Sequence, residues 1–410
     1  MRFLGVVLGL TVCSACSAEF GDPDPAHSTD ASSAEAAPAF DLLRAGHHGA
    51  RCGAARGVRR ALGAAAARLA ALQADTIGDN AHNGVDDADP DDGGWDFIIA
   101  PTATEHSAAA SPPNLFGATA LAEWAAVETG SAGHRALVAA LDAGLGMQRN
   151  PDVDSAPDFV FGVLLAELAD NRGFADIARA HYDAKRASRT DAAGLGTLIR
   201  DARHAANEDG LIPYDVGWFV LAAAALDSAF PGAGYDRDAT TYARIVVDDL
   251  TSGSPDFDFR DPAEGFYGTG LAWSLVASAW LHDTGLVRDV RAQLLARQHA
   301  DGAWQLDASQ PGDDLQATAH ALQTLALTGQ STGPIRRAVR RAAEFLLRAQ
   351  AASGGWVDAT DHELPLVDAD IALGLMLSRT EAGEDGLVPD ERLSPRAPTT
   401  AAPATAAPLP

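Results

Sequence analysis

The sequence predicts an all-α fold, an (α/α)6 toroid of six helical hairpins flanked by an N-terminal tether and a C-terminal tail. Three observations carry this expectation. Alanine and glycine abound while aromatics make up only 6% of the chain, a composition suited to closely packed helices. Hydrophobic residues are 47% of 410, enough to fill a large core. Helix–loop–helix units also recur along the chain, each an Ala/Arg/Leu helix, a loop rich in Gly, Asp or Trp, and a second, more apolar helix.

The two clearest units lie near the C-terminus. In 287–329, VRDVRAQLLARQ is followed by the loop HADGAWQLDASQPGD and the helix DLQATAHALQTLALT. In 335–380, IRRAVRRAAEFLLRAQ is followed by AASGGWVDATDHELPL and VDADIALGLMLSR. Four weaker copies precede them: ALGAAAARLAALQ with NLFGATALAEWAAVE, HRALVAALDAGLGMQ with DFVFGVLLAELAD, FADIARAHYDAKR with DVGWFVLAAAALDSAF, and YARIVVDDL with GTGLAWSLVASAWLH. A second helix that is apolar on most faces is a buried helix, and a first helix with Arg on one side covers it. Six such pairs close into a ring with the apolar helices inside, whereas an open solenoid would use shorter, more uniform units.

The ends read differently. Met1-Arg2 is a short positive region, and Phe3 to Val12 is an apolar run too short for a bilayer, which takes about 20 residues. Residues 1–15 are expected to be a lipoprotein-type signal peptide, with Ser14-Ala15-Cys16 as the end of a lipobox and Cys16 as the lipidated residue. Cys13 stands where a lipobox usually has Leu, so cleavage after Ala18 is the alternative. Residues 16–39, rich in Ser, Ala, Pro and Asp, form a linker, residues 40–390 the toroid domain, and 391–410 a Pro/Thr/Ala tail. The expected location is the cell envelope, with membrane contact through the N-terminal lipid anchor, or the secreted fraction.

Charge excludes one class of partner. With 56 acidic residues against 30 basic ones the net charge is −26, so nucleic acid is not expected to bind. Lys185 is the only lysine, an Arg bias that follows from coding composition. Three cysteines, two of them in the leader, leave Cys52 alone, which excludes a disulfide framework and a multi-cysteine zinc site. The acidic loop DNAHNGVDDADPDDGGW alternates Asp87, Asp89 and Asp91 as hard-oxygen ligands do, making them candidates for structural calcium. It lacks the glycine and distal Glu of an EF-hand, and a solvated acidic loop is the other reading.

The stretch RAAEFLLRAQAASGGW carries a more specific signal. Arg341, Ala342, Phe345, Leu346, Gln350, Gly354 and Trp356 match, position by position, the QW repeat of squalene/hopene-type terpenoid cyclases, and Gln298, Gly302 and Trp304 match its second half. The chain thus resembles the terpenoid cyclase/protein prenyltransferase α/α-toroid superfamily. In that superfamily these residues are structural clamps, and physical chemistry agrees. Gln can bond leftover helix carbonyls, Gly can turn left-handed out of the helix, and Trp can cover the hairpin.

Chemistry is therefore expected at the N-termini of the inner helices, at Asn114, Asp158, Asp215, Tyr267, Asp313, Asp314, Asp368 and Asp370. Most read as helix caps, each worth about 1 kcal/mol. Asp313, Asp314 and Asp368 are the catalytic candidates, because converging carboxylates in a dry cavity can hold a proton. The resemblance would make Asp313 the protonating acid of an Asp-x-Asp-Asp motif, but Pro311 replaces its first Asp. For prenyltransferase zinc, Asp314 and His362 could serve, but Gln316 stands where a Cys is needed. Few aromatics and room for one toroid argue against polycyclisation. The expected function is a non-cyclising protein that binds a small molecule, glycan or protein. The alternative is an enzyme using ring-facing carboxylates, either cyclase-like or a polysaccharide lyase or hydrolase, for which Asp256, Asp258, Asp261 and Glu264 are further candidates.

Overall fold

The computed structural model describes residues 56–72, 99–100, 102–103, 156–168, 172–187, 213–310, 312–328, 333–359 and 361–382. All lie in one compact unit, Ala37–Pro410. The tether, the tail, Cys16, Asp87, Asp89, Asp91 and Asn114 lie outside the described residues. The described elements are α-helices: α1 (Arg56–Leu72), α2 (Ala156–Leu168), α3 (Gly173–Ala187), α4 (Pro213–Ala229), α5 (Tyr235–Leu250), α6 (Tyr267–Trp280), α7 (Thr284–Ala296), α8 (Leu315–Leu327), α9 (Gly333–Ala349) and α10 (Pro365–Ala382). None is long and apolar enough to cross a membrane.

Two layers follow from the apolar patterning. Helices α2, α4, α6, α8 and α10 are apolar around most of their circumference and pack side by side in that order. Helices α1, α3, α5, α7 and α9 bury one stripe and turn most of their charged residues outward, Arg68 of α1 and Asp238 of α5 being buried. Each outer helix lies against the inner helix that precedes it in the chain: α3 on α2, α5 on α4, α7 on α6 and α9 on α8. The last inner helix, α10, receives α1, the first outer helix. The beginning of the chain thus takes the place that a next hairpin would occupy, and the layers close into an all-α toroid.

One element starts earlier than its pattern suggests. The sequence places the fourth outer helix from Tyr242, yet α5 begins at Tyr235 after a left-handed Gly234 at φ 88°. Thr240 and Thr241 obscure the pattern, but their hydroxyls donate back to the carbonyls of Asp236 and Arg237 at 2.9 and 2.8 Å, which keeps them helical. Asp238 is buried there because it accepts from the Tyr182 hydroxyl of α3 at 3.0 Å.

The two QW hairpins are near copies. Gln298 Nε2 donates to Gly302 O and to Ala338 O of α9, at 2.9 and 2.8 Å. Gln350 Nε2 donates to Gly354 O and to Ala61 O of α1, both at 2.7 Å. Trp304 Nε1 reaches Leu294 O at 2.8 Å, and Trp356 Nε1 reaches Leu346 O at 2.7 Å. Gly302 and Gly354 have φ of 109° and 106°, and a Cβ on either would sit 2.2 Å from Arg341 O or 2.5 Å from Ala64 O. No other residue type fits either position without moving the next helix.

Candidate site at the ring centre

The carboxylates singled out in the sequence occupy three unlike settings and share no hydrogen-bonding partner. Asp314 caps α8, its Oδ1 accepting from Ala317 N at 2.6 Å. Burial raises its carboxyl pKa, opposed by that backbone bond and by His320. Asp313 is exposed and accepts from or shares a proton with His299 Nδ1 at 2.7 Å. Desolvation raises its pKa against the lowering influence of His299, and Asp301 beside it adds to the rise. Among the described residues, His299, Asp301 and Asp313 form the one group whose donor atoms all lie within 4.8 Å of one another, an open set of one nitrogen and two oxygens. His362 serves a turn, its N–H donating to Asp358 Oδ1 at 3.0 Å.

Asp368 is fully buried where α10 meets α1. Its Oδ1 accepts from Trp356 N at 2.9 Å. Nearby Arg68 of α1 donates from Nε to both oxygens of buried Glu363, at 3.3 and 3.2 Å, and from NH2 to Oε2 at 3.1 Å. The same guanidinium holds the carbonyls of Ala100 and Ala103, and Ile99 pairs with Glu363 in a short antiparallel bridge. Desolvation, then the charge of Glu363, push the Asp368 carboxyl well above the usual range, with Arg68 only partly offsetting them. Burial and the Glu363 charge thus favour the neutral acid at Asp368, whose Oδ2 has no hydrogen-bond partner and, when protonated, could donate to Glu363.

The glycan-type candidates build a turn. Asp258 Oδ1 accepts from Arg260 N and Asp261 Oδ1 from Ala263 N, each at 2.9 Å, and Glu264 Oε1 accepts from Asp258 N at 3.5 Å. Asp249, from the end of α5, anchors the loop by accepting from Asp256 N and Phe257 N at 2.7 and 3.1 Å. Burial raises the carboxyl pKa of Glu264, and no described contact places it opposite a second carboxylate across a groove.

A different cluster converges from four inner helices. His320 of α8 is fully buried, and its Nε2 lies 3.1 Å from Asp370 Oδ2 of α10. Gln316 Nε2, one turn earlier on α8, donates to the same oxygen at 3.3 Å, and Gln323 Nε2 donates to Asp370 O at 2.7 Å. Around the imidazole stand Trp273 of α6, with ring centroids 5.6 Å apart, and Tyr214 and Trp218 of α4, at 5.2 and 5.9 Å. The two indoles lie 4.3 Å apart. Because α6 separates α4 from α8 in the layer, the α4 rings reach His320 across the space the inner helices enclose.

Several polar atoms in this cluster have no hydrogen-bond partner: Trp218 Nε1, Trp273 Nε1, His320 Nδ1, Gln323 Oε1 and Asp370 Oδ1. Each such atom costs about 1–3 kcal/mol. Tyr214 and Gln316 are only half-buried and stand at the helix N-terminal end, above the sealed residues. Chemically, an imidazole held by a carboxylate on one nitrogen can take or give a proton at the other.

The sequence named Asp370 only as the start of an inner helix and passed over His320. A readable signal existed: Gln316, His320 and Gln323 fall on one face of an otherwise apolar helix, and Tyr214 and Trp218 are one turn apart on another.

No family model matches the chain, and no curated protein sequence matches it. Among solved structures, one similar chain is a type II terpene cyclase from Scytonema in complex with its substrate, geranylgeranyl dihydroxybenzoate. The identity is 16% and the TM-score 0.46, with 83% of this chain and 99% of that chain covered.

Proposed function

We propose that this is an exported, non-cyclising α/α toroid that binds a small molecule at the mouth of its ring, above the His320–Asp370 pair. The observation that supports it is the content of the ring centre. Trp218, Trp273, His320 and Asp370 are at most 1% exposed and occupy the space into which a folded isoprenoid chain would have to fit. Their unmatched polar atoms need a partner, and displacing half-buried Tyr214 and Gln316 would offer them one. Lipid anchoring through Cys16 remains part of the proposal, on the strength of Phe3 to Val12 and Ser14-Ala15-Cys16.

Native mass spectrometry and thermal shift of the full chain against isoprenoids, oligosaccharides and calcium test the reading, with indole fluorescence as the local probe. A small molecule that raises the melting temperature in the wild type but not in His320→Phe supports it. Conversion of an isoprenoid to a cyclised product would sink it. A second reading, an enzyme that moves a proton through His320 and Asp370, is favoured by their 3.1 Å contact in a dry site. Under that reading Asp370→Asn abolishes turnover while leaving binding within about threefold.

A further inference from the structure

The outer layer holds a cationic groove that the ring-centre reading does not use. A cavity of about 290 Å³ lies between α7 and α9, lined by Leu295, Pro334, Ala338, Arg337, Arg340 and Arg341. In a chain where acidic residues outnumber basic ones by 56 to 30, an arginine patch would ordinarily meet carboxylates. Among the described residues no carboxylate lines this groove. Helix α9 carries five arginines and a single acid, Glu344, and its first turn is free of acids. Among the described residues Glu344 pairs with Arg340, at 3.8 Å. Arg341 donates to Gln298 Oε1, which fixes one wall of the groove, and Arg337 is exposed with no ion pair among the described residues.

We infer that this groove binds a phosphate-bearing small ligand. Arg337 and Arg340 supply planar donors that match phosphate oxygens two at a time, the N-terminal half of α9 adds its positive end, and Leu295, Pro334 and Ala338 form a floor for a short apolar stem. The net charge of −26 does not prevent this, because charges beyond about 8 Å are largely screened at physiological salt. The phosphate could belong to a free metabolite or to a lipid headgroup.

Titration calorimetry of the full-length protein with phenyl phosphate tests the site. The expected dissociation constant is about 1 mM or tighter, weakening as salt is raised. Arg337→Gln with Arg340→Gln should weaken binding about tenfold at an unchanged melting temperature, since both side chains are exposed. Sedimentation with phosphatidylglycerol vesicles, using full-length Cys16→Ser to remove any anchor, distinguishes the sources. Retention of Cys16→Ser but not of the triple variant assigns a lipid headgroup. Binding of phenyl phosphate without retention assigns a soluble ligand. No binding of either probe, or equal binding by the double variant, overturns the inference.

Discussion

The two QW hairpins make the same backbone bond with different chemistry. Trp304 N donates to the Thr318 hydroxyl at 3.0 Å, while Trp356 N donates to the Asp368 carboxyl at 2.9 Å. Gln298 ties the first hairpin to its neighbour through Ala338 O, whereas Gln350 ties the second to the first described helix through Ala61 O. Both Trp bonds stay within their own hairpin, spanning 14 and 12 residues, so chain length does not set the choice of hydroxyl or carboxyl. The seam adds a buried cation, Arg68, between Glu363 and the Ala100 and Ala103 carbonyls, which ties together segments nearly three hundred residues apart. Buried charge of this kind contributes little net stability but penalises every arrangement that leaves one member unpaired. The difference suggests that the seam is selected for its unique pairing.

The largest effect expected from breaking the comparison is at Arg68. Arg68→Ala leaves Glu363 buried without its cation, a loss of about 3–5 kcal/mol. Thermal melting reads it directly, and a loss below about 1 kcal/mol would show that the Arg68–Glu363 ion pair does not hold the seam. Gln350→Ala comes next, at about 1–3 kcal/mol, because it deprives two carbonyls of their donor. Hydrogen exchange should then rise across α1, whereas Gln298→Ala should leave α1 protected. Equal exchange in both variants would mean that α1 is held by its apolar stripe alone. Thr318→Val is expected to cost about 1–2 kcal/mol, because its hydroxyl accepts from Trp304 N and donates to Asp314 O.

The clamps were legible because they depend on local spacing: Gln, Gly and Trp act within one turn, so the pattern survives in one dimension. The all-α toroid was legible for a related reason, since an inner helix announces itself by lacking a polar face. Position in the ring was not. Asp314 and Asp368 both begin inner helices, yet one is a half-buried cap and the other is fully buried, because Arg68, which holds Glu363 beside Asp368, arrives from another hairpin. His320 was hidden for the same reason. A histidine among alanines and leucines usually fills a core, and only the fold brings Asp370, Trp273 and Tyr214 around it. Asp313, the candidate acid, is exposed beside His299 instead of facing those aromatics.

Asp368→Asn gives the smallest effect at acid pH and the sharpest test of how the two hairpins differ. Because the folded pKa of Asp368 lies above its unfolded value, the folded chain keeps a proton that the unfolded chain releases near pH 4. Below that value both states are protonated and burial of the neutral acid carries no ionic penalty. As pH rises towards the folded pKa, the unfolded state binds fewer protons than the folded one, so this residue's contribution to stability falls. Asparagine keeps the acceptor for Trp356 N and offers a permanent N–H toward Glu363 in place of the shared proton. The melting temperatures of wild type and variant should therefore nearly coincide at about pH 3.5, with the variant gaining steadily to about pH 6. Comparing the two proteins at each pH removes the titration of every other group. A variant that is less stable by the same amount at both pH values would mean that Asp368 is ionised at the seam, its charge being part of what holds Arg68 there.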